Sequence, residues 1–188
     1  MIKGKRGVSS VIATILLILL TMAAVAILAA FVVPLVRESL NESTRCVDYK
    51  DYFYFENQYG YNCYNVTNGY NLYAFSIGAK TKSEDIGNEV EGIQLVLKRK
   101  DSSEVLVILN TTPTDNKVGG TRMIQSSLPN LIIPNPGEVR TYVQNRSNYL
   151  EGMEVYVRLK GGKVCEEKTD SINLVGAYCD PNLVMNVI

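Results

Sequence analysis

The sequence contains no histidine and no tryptophan. Without histidine there is no Ser-His-Asp triad, no Cys-His pair, no imidazole-ligated zinc or haem, and no imidazole acid–base chemistry near neutrality. Net charge is missing as well, since 19 Lys plus Arg balance 19 Asp plus Glu. The basic field on which nucleic-acid binding depends is therefore absent. No Gly-rich phosphate loop, nucleophile elbow or positioned carboxylate pair is found. The chain reads as a non-enzyme without a cofactor. Glu84, Asp85, Glu89 and Glu91 lack the alternating ligand spacing of a calcium loop and read as a solvated turn. The most informative absence is local: residues 8–36 contain no charged side chain.

In its place stands a continuous apolar segment. From Val11 to Val33 there are 23 residues interrupted only by Thr14 and Thr21, whose hydroxyls can bond back to their own helix. A soluble core helix of that length would show a polar face. This segment has none, and it exceeds the roughly 20 residues that cross a bilayer's hydrocarbon core. Lys3, Lys5 and Arg6 precede it without any acidic residue. Such a bias places the N-terminus in the cytoplasm and the chain after residue 36 outside the cell membrane. Cleavage as an ordinary signal peptide at Ala24-Val25-Ala26 would leave the apolar stretch 27–36 as a new N-terminus, which argues against it. An uncleaved anchor carrying a single-pass extracellular binding domain is the plain alternative.

The order of residues at the junction is more specific than its hydrophobicity. Lys5-Arg6-Gly7-Val8-Ser9-Ser10-Val11-Ile12-Ala13-Thr14 resembles the processing site of archaeal type IV pilins and archaellins, the class III signal peptides. The resemblance covers residues 3–36, under a fifth of the chain. It implies recognition of Lys5, Arg6 and Gly7 by a prepilin peptidase and cleavage before Val8, with the helix left on the mature protein. It further implies self-association into a surface filament, served by a pilus assembly ATPase and a membrane platform protein. Many bacterial type IV pilins carry Glu at the fifth mature position, where this chain has Ile12. That departure points to the archaeal branch or to a minor subunit, such as a pseudopilin of a secretion or uptake machine. Val8 also stands where some archaeal subunits begin with Gln.

On this reading residues 1–7 are removed, 8–40 form a hydrophobic helix, and 41–188 form an extracellular head. Helix packing in a filament core would fall to Val11, Ile12, Ile15, Leu16, Leu19, Leu20, Ala23, Ala26, Ile27, Ala30 and Phe31, since alternating Ala with larger aliphatics permits close approach. Pro34 lacks the N–H for its helical bond, and a kink or local melting is expected there.

Period-2 alternation dominates the head. Met153, Val155, Val157 and Leu159 alternate with Glu154, Tyr156 and Arg158, the form of a half-buried strand. Val139, Thr141 and Val143 alternate with Arg140 and Tyr142, and Ile93, Leu95 and Leu97 with Gln94, Val96 and Lys98. The continuous run 105–109 predicts a strand buried on both faces, and 70–78 a further strand. Weaker candidates are 122–125, 131–133 and 171–176. Turn signals at Gly119-Gly120, Asn135-Pro136-Gly137 and Gly161-Gly162 separate them. The expected fold is α+β: one long N-terminal helix, then a mainly antiparallel β-sandwich head of Ig-like or pilin type.

Three groups of head residues stand out. Cys46, Cys63, Cys165 and Cys179 contain no Cys-x-x-Cys pair, and in an exported domain they read as two disulfides. Three connectivities are open; Cys46–Cys63 and Cys165–Cys179 are favoured because each closes a short local loop. Asn41, Asn65, Asn110 and Asn145 begin Asn-x-Ser/Thr sequons, so N-glycosylation is available at each. Residues 49–73 hold eight of the twelve tyrosines. Tyr49, Tyr52, Tyr54, Tyr59, Tyr61 and Tyr64 suggest a contact surface for sugars or apolar patches. The competing and favoured explanation is that these rings pack against the sheet.

Overall fold

The computed structural model describes residues 10–180 apart from 68, 116, 118 and 125–128. The junction residues Lys5, Arg6, Gly7 and Val8 lie outside the described residues, as does the side chain of Asn41. The chain divides into two units, 1–45 and 46–188.

The first unit is the body of helix α1, Ser10–Val47. Nothing polar interrupts its ladder. Thr14 Oγ1 donates to the Val11 carbonyl at 2.8 Å and Thr21 Oγ1 to that of Ile18 at 2.9 Å, so both hydroxyls are satisfied within the helix. The helix runs unbroken across Pro34, which corrects the expectation of melting there. It also passes the expected end near residue 40, because residues 35–50 contain neither Gly nor Pro to stop it. A left-handed Asp51, at φ 61°, turns the chain into the head.

The head is a two-sheet structure in which every strand pair is antiparallel. One sheet holds β1 (Phe53–Phe55), β2 (Cys63–Thr67), β3 (Tyr70–Ala79), β6 (Thr121–Met123) and β7 (Val139–Arg146). The other is ordered β5–β4–β8–β9, from β4 (Val90–Lys98), β5 (Ser103–Leu109), β8 (Gly152–Leu159) and β9 (Asp170–Asn173). A single apolar core joins them: Phe75, Ile77 and Tyr142 from the first meet Ile93, Leu95, Leu97, Val155 and Val157 from the second, all fully buried. The alternation read in β4 and β8 is thus the inward face of a sandwich. In β7 the face is reversed: Tyr142 enters the core, and Val143, read with Val139 and Thr141 as the apolar face, packs on the outer side of the first sheet with Leu72, Ala74 and the Cys63–Cys179 pair.

Three expectations change. The run 105–109 lies in β5, which is an edge strand and not buried on both faces; Val105 is 56% exposed and only Ile108 is fully buried. Residues 131–133 form no strand, although Leu131 and Ile133 are buried in the core. Glu84, Asp85 and Glu89 lie on a short helix, α2 (Glu84–Glu89), where a turn was expected.

β1 and β2 were not legible as strands. Both pair with the same edge of β3, β1 with residues 77–79 and β2 with residues 70–74. They are two pieces of one strand, interrupted by residues 56–62. Asn62 bridges the interruption. Its Oδ1 accepts the Ser76 N–H at 3.0 Å, and its Nδ2 donates to the Glu56 carbonyl at 3.1 Å and to Asn57 Oδ1 at 2.7 Å.

Candidate functional site

The apolar helix is the first candidate. Every residue from 11 to 37 is exposed in the isolated chain, including Val11, Ile12, Ile15, Leu16, Leu19, Leu20, Ala23, Ala26, Ile27, Ala30, Phe31 and Pro34. Val11–Arg37 is long and apolar enough to cross a membrane. With about 1.5–3 kcal/mol at stake for each large aliphatic or aromatic side chain left in water, such a surface requires lipid or apolar protein around it. No face is reserved for solvent, so the helix can be surrounded on all sides.

The cysteines pair differently from the sequence expectation. Cys46 bonds Cys165 and Cys63 bonds Cys179, at Cα–Cα distances of 5.5 and 4.9 Å. The favoured local pairs, Cys46–Cys63 and Cys165–Cys179, are both replaced. Short loops made them attractive, but register decides the matter. Cys63 sits in β2, and residues 177–179 run parallel beside that strand: Tyr64 N–H donates to the Ala177 carbonyl at 2.9 Å and Cys179 N–H to the Tyr64 carbonyl at 3.1 Å. That pairing brings Cys179 to Cys63. Cys165, whose N–H donates to the Val157 carbonyl, is buried in the shared core, against which Cys46 packs. The disulfides are consistent with an oxidising, extracellular setting.

The tyrosines separate into two groups. Tyr49, Tyr52 and Tyr64 are buried and so do not form a contact surface. Tyr49 packs edge-on to Tyr52 with ring centroids 6.0 Å apart, and Tyr52 to Phe53 at 4.9 Å. Tyr64 contacts Tyr73, Tyr149 and Tyr178 at 5.5, 5.3 and 4.8 Å. Hydrogen bonding to the Tyr178 hydroxyl, with burial and Tyr149 adding to it, pushes the Tyr64 phenol above its ordinary range. Tyr149 and Tyr178 were missed in the sequence, and nothing in their local pattern marks them. The parallel pairing of 177–179 with β2 brings in Tyr178, while Tyr149 arrives from the segment before β8, its hydroxyl donating to the Leu174 carbonyl at 3.4 Å. Tyr54 is half-buried, its ring lying over Gly78, where a Cβ would come within 2.4 Å of the ring.

Tyr59 remains open, and Tyr61 is half-buried, packing against the cluster of Cys63, Leu72, Ala74, Val143 and Cys179. Both lie on the loop between β1 and β2, where the Gly60 N–H donates to the Asn57 carbonyl and Gly60 has φ 68°. Tyr59 is 56% exposed. With Ile124, Val139, Arg140 and Thr141 they line a groove of about 390 Å³. Arg140 Nη2 donates to Glu138 Oε2 at 2.7 Å. The Asn135 N–H and the Arg140 guanidinium together hold the Glu138 carboxyl below the usual carboxylate range.

A larger cleft, of about 680 Å³, opens on the other sheet beside Lys98, Glu154 and Lys168. Glu154 is 8% exposed, and its Oε1 accepts from Lys98 Nζ at 2.7 Å and Lys168 Nζ at 2.8 Å. Tyr156 donates to its Oε2 at 3.1 Å. Burial pushes this carboxyl up, but bonds from Lys168, Lys98 and Tyr156 outweigh it and hold it at about 2. The group is a permanent anion that fastens two strands and the segment before β9.

Of the sequons, Asn110 is exposed at the end of β5, its Oδ1 accepting the Ile133 N–H at 2.8 Å. Asn65 and Asn145 are half-buried, each directly opposite Leu72 across the sheet. No protein-family model matches the sequence, and no characterised protein matches it either.

Proposed function

We propose that this chain is a structural subunit of an archaeal type IV pilus-like surface filament, assembled through its N-terminal helix and making contact through its head. The observation that carries the reading is the helix itself: from 11 to 37 it presents apolar side chains on every face. A simple anchor needs about 20 apolar residues. The uncharged stretch of α1 from 11 to 36 covers more than that, about 39 Å at 1.5 Å per residue, and the helix continues through Arg37 and Glu38 to Val47. Surrounding such a helix outside the bilayer takes copies of itself. Repetition that does not close on itself yields a filament.

The Lys5-Arg6-Gly7-Val8 order supports peptidase processing, and the two disulfides suit a head displayed outside the cell. In this account the precursor sits in the membrane with its N-terminus in the cytoplasm. Cleavage before Val8 removes the three cations, and the helix passes from lipid into a bundle of like helices. The peptidase, the assembly ATPase and the membrane platform are the partners this path requires.

Mass spectrometry of the N-terminal peptide from sheared surface material tests it. A peptide beginning at Val8, with the helix attached, is the expected result. An intact Met1 confined to the membrane fraction overturns it in favour of a single-pass anchored binding domain.

A further inference from the structure

We infer that the groove between the β1–β2 loop and the start of β7 binds an uncharged saccharide. The argument begins with what the loop is for. Residues 56–62 interrupt a strand that would otherwise pair continuously with β3, and side-chain hydrogen bonds span the interruption. Asn62 replaces the missing strand partner with its own side chain and makes three hydrogen bonds in doing so. Tyr59 stands on this loop, largely in solvent, and Tyr61 follows two residues on.

The rest of the lining is partly polar and carries little net charge. Arg140 has five N–H donors, and one is engaged by Glu138 at 2.7 Å, which also neutralises the guanidinium. Thr141 Oγ1 shares one hydrogen bond with Ser76 Oγ at 2.7 Å and retains further hydrogen-bonding capacity. Val139 and Ile124 supply the apolar floor. Flat rings for the C–H face of a pyranose, in one groove with donors and acceptors for its hydroxyls, match a sugar. The compensated charge favours a neutral sugar over a uronic acid. The volume lies within the range of small-molecule sites.

This assignment rests on the head being displayed outside the cell. It is tested on the full chain in detergent, so the outcome does not depend on filament assembly. The probe is an array of polyvalent neutral oligosaccharides of glucose, galactose, mannose and N-acetylglucosamine, with hexuronate oligomers as charged controls. At least one neutral saccharide is expected to bind. Tyr59→Ala and Tyr61→Ala should each weaken that binding at least tenfold, and Arg140→Gln likewise. Tyr70→Ala, exposed elsewhere on the head, should leave it unchanged. Circular dichroism melting of each variant separates lost binding from lost fold. Binding of hexuronates alone, no binding at all, or binding indifferent to both tyrosine substitutions in folded protein overturns the inference. Failure here with an N-terminus at Val8 leaves the filament reading standing. An N-terminus at Met1 with intact sugar binding does the reverse.

Discussion

Removing one disulfide tests the covalent arrangement of the head quantitatively. The bonds Cys46–Cys165 and Cys63–Cys179 close loops of 119 and 116 residues, and the loops interleave. Taken alone, either bond would restrict the unfolded chain by about 4.9 kcal/mol in the chain-entropy model. With the other bond intact the restriction is smaller. Cys46 and Cys165 then remain joined by a path of about 31 residues, running to Cys63, across its bond to Cys179, and back. A loop of that size is worth about 3.7 kcal/mol. Cys46→Ala with Cys165→Ala should therefore cost about 3.7 kcal/mol, the other pair about the same, and all four substitutions about 8.5 kcal/mol. The excess over the simple sum, about 1 kcal/mol, is the signature of interleaving and exceeds the usual error of additivity. Two local loops, Cys46–Cys63 and Cys165–Cys179, would instead give about 3 kcal/mol each and add without excess.

Unfolding by urea of the full chain in detergent, followed by tyrosine emission because there is no tryptophan, measures these losses. Each single removal should lower the melting temperature by roughly 7–15 °C for a head of this size. Peptides from a non-reducing digest identify the bonds directly. A single removal costing under 1 kcal/mol, strict additivity, or a peptide linking Cys46 to Cys63 would refute the reasoning.

Two further predictions concern the sheets. The Glu154 carboxyl is held at about 2 against an ordinary 4.5, so its stabilisation is present above about pH 4.5 and lost as pH falls towards 2. Glu154→Gln should cost about 1–3 kcal/mol at pH 7, discounted because both lysines are half exposed, and urea midpoints of variant and parent should converge near pH 2. Gly92→Ala places a Cβ 2.6 Å from the Ile108 carbonyl oxygen, which the β4–β5 pairing holds in place. A loss of about 1–3 kcal/mol is expected in the same assay, and Gly78→Ala should cost less, because the obstructing Tyr54 ring is partly exposed and able to swing away.

Local signals were legible and long-range ones were not. The alternation in 153–159 and 93–97 identifies strands because each has one face against a common core, a property carried by neighbours two apart. In 139–143 it identifies the strand but the wrong face, since Tyr142 and not Val143 enters that core. The helix is legible for the same reason, since its composition alone decides its environment. The run 105–109 misleads because apolar residues on both faces look the same in a central strand and in an edge strand; the position of β5 depends on where β4 and β8 lie. The disulfides depend on residues 177–179 returning to β2 from more than a hundred residues away. Loop length is a weak guide once register brings distant cysteines together.

The tyrosine-rich segment shows how closing a sandwich and displaying a surface compete for the same residues. β1 and β2 form an edge that would expose unpaired backbone groups, and Phe55 and Tyr64 on it find partners. Asp170 Oδ2, at the start of β9, accepts the Phe55 N–H at 2.8 Å, so β1 is capped from the other sheet. The chain at 177–179 covers β2 through Tyr64 and is held there by the Cys63–Cys179 bond. The rings of Tyr49, Tyr52 and Tyr64 fill the space behind this seam, and their density in the sequence follows from it. Tyr59 contributes nothing to the closure: it stands on the one stretch where the edge is interrupted, among residues that Asn62 has already satisfied. A ring that neither packs the core nor covers an edge is free to meet something outside the chain.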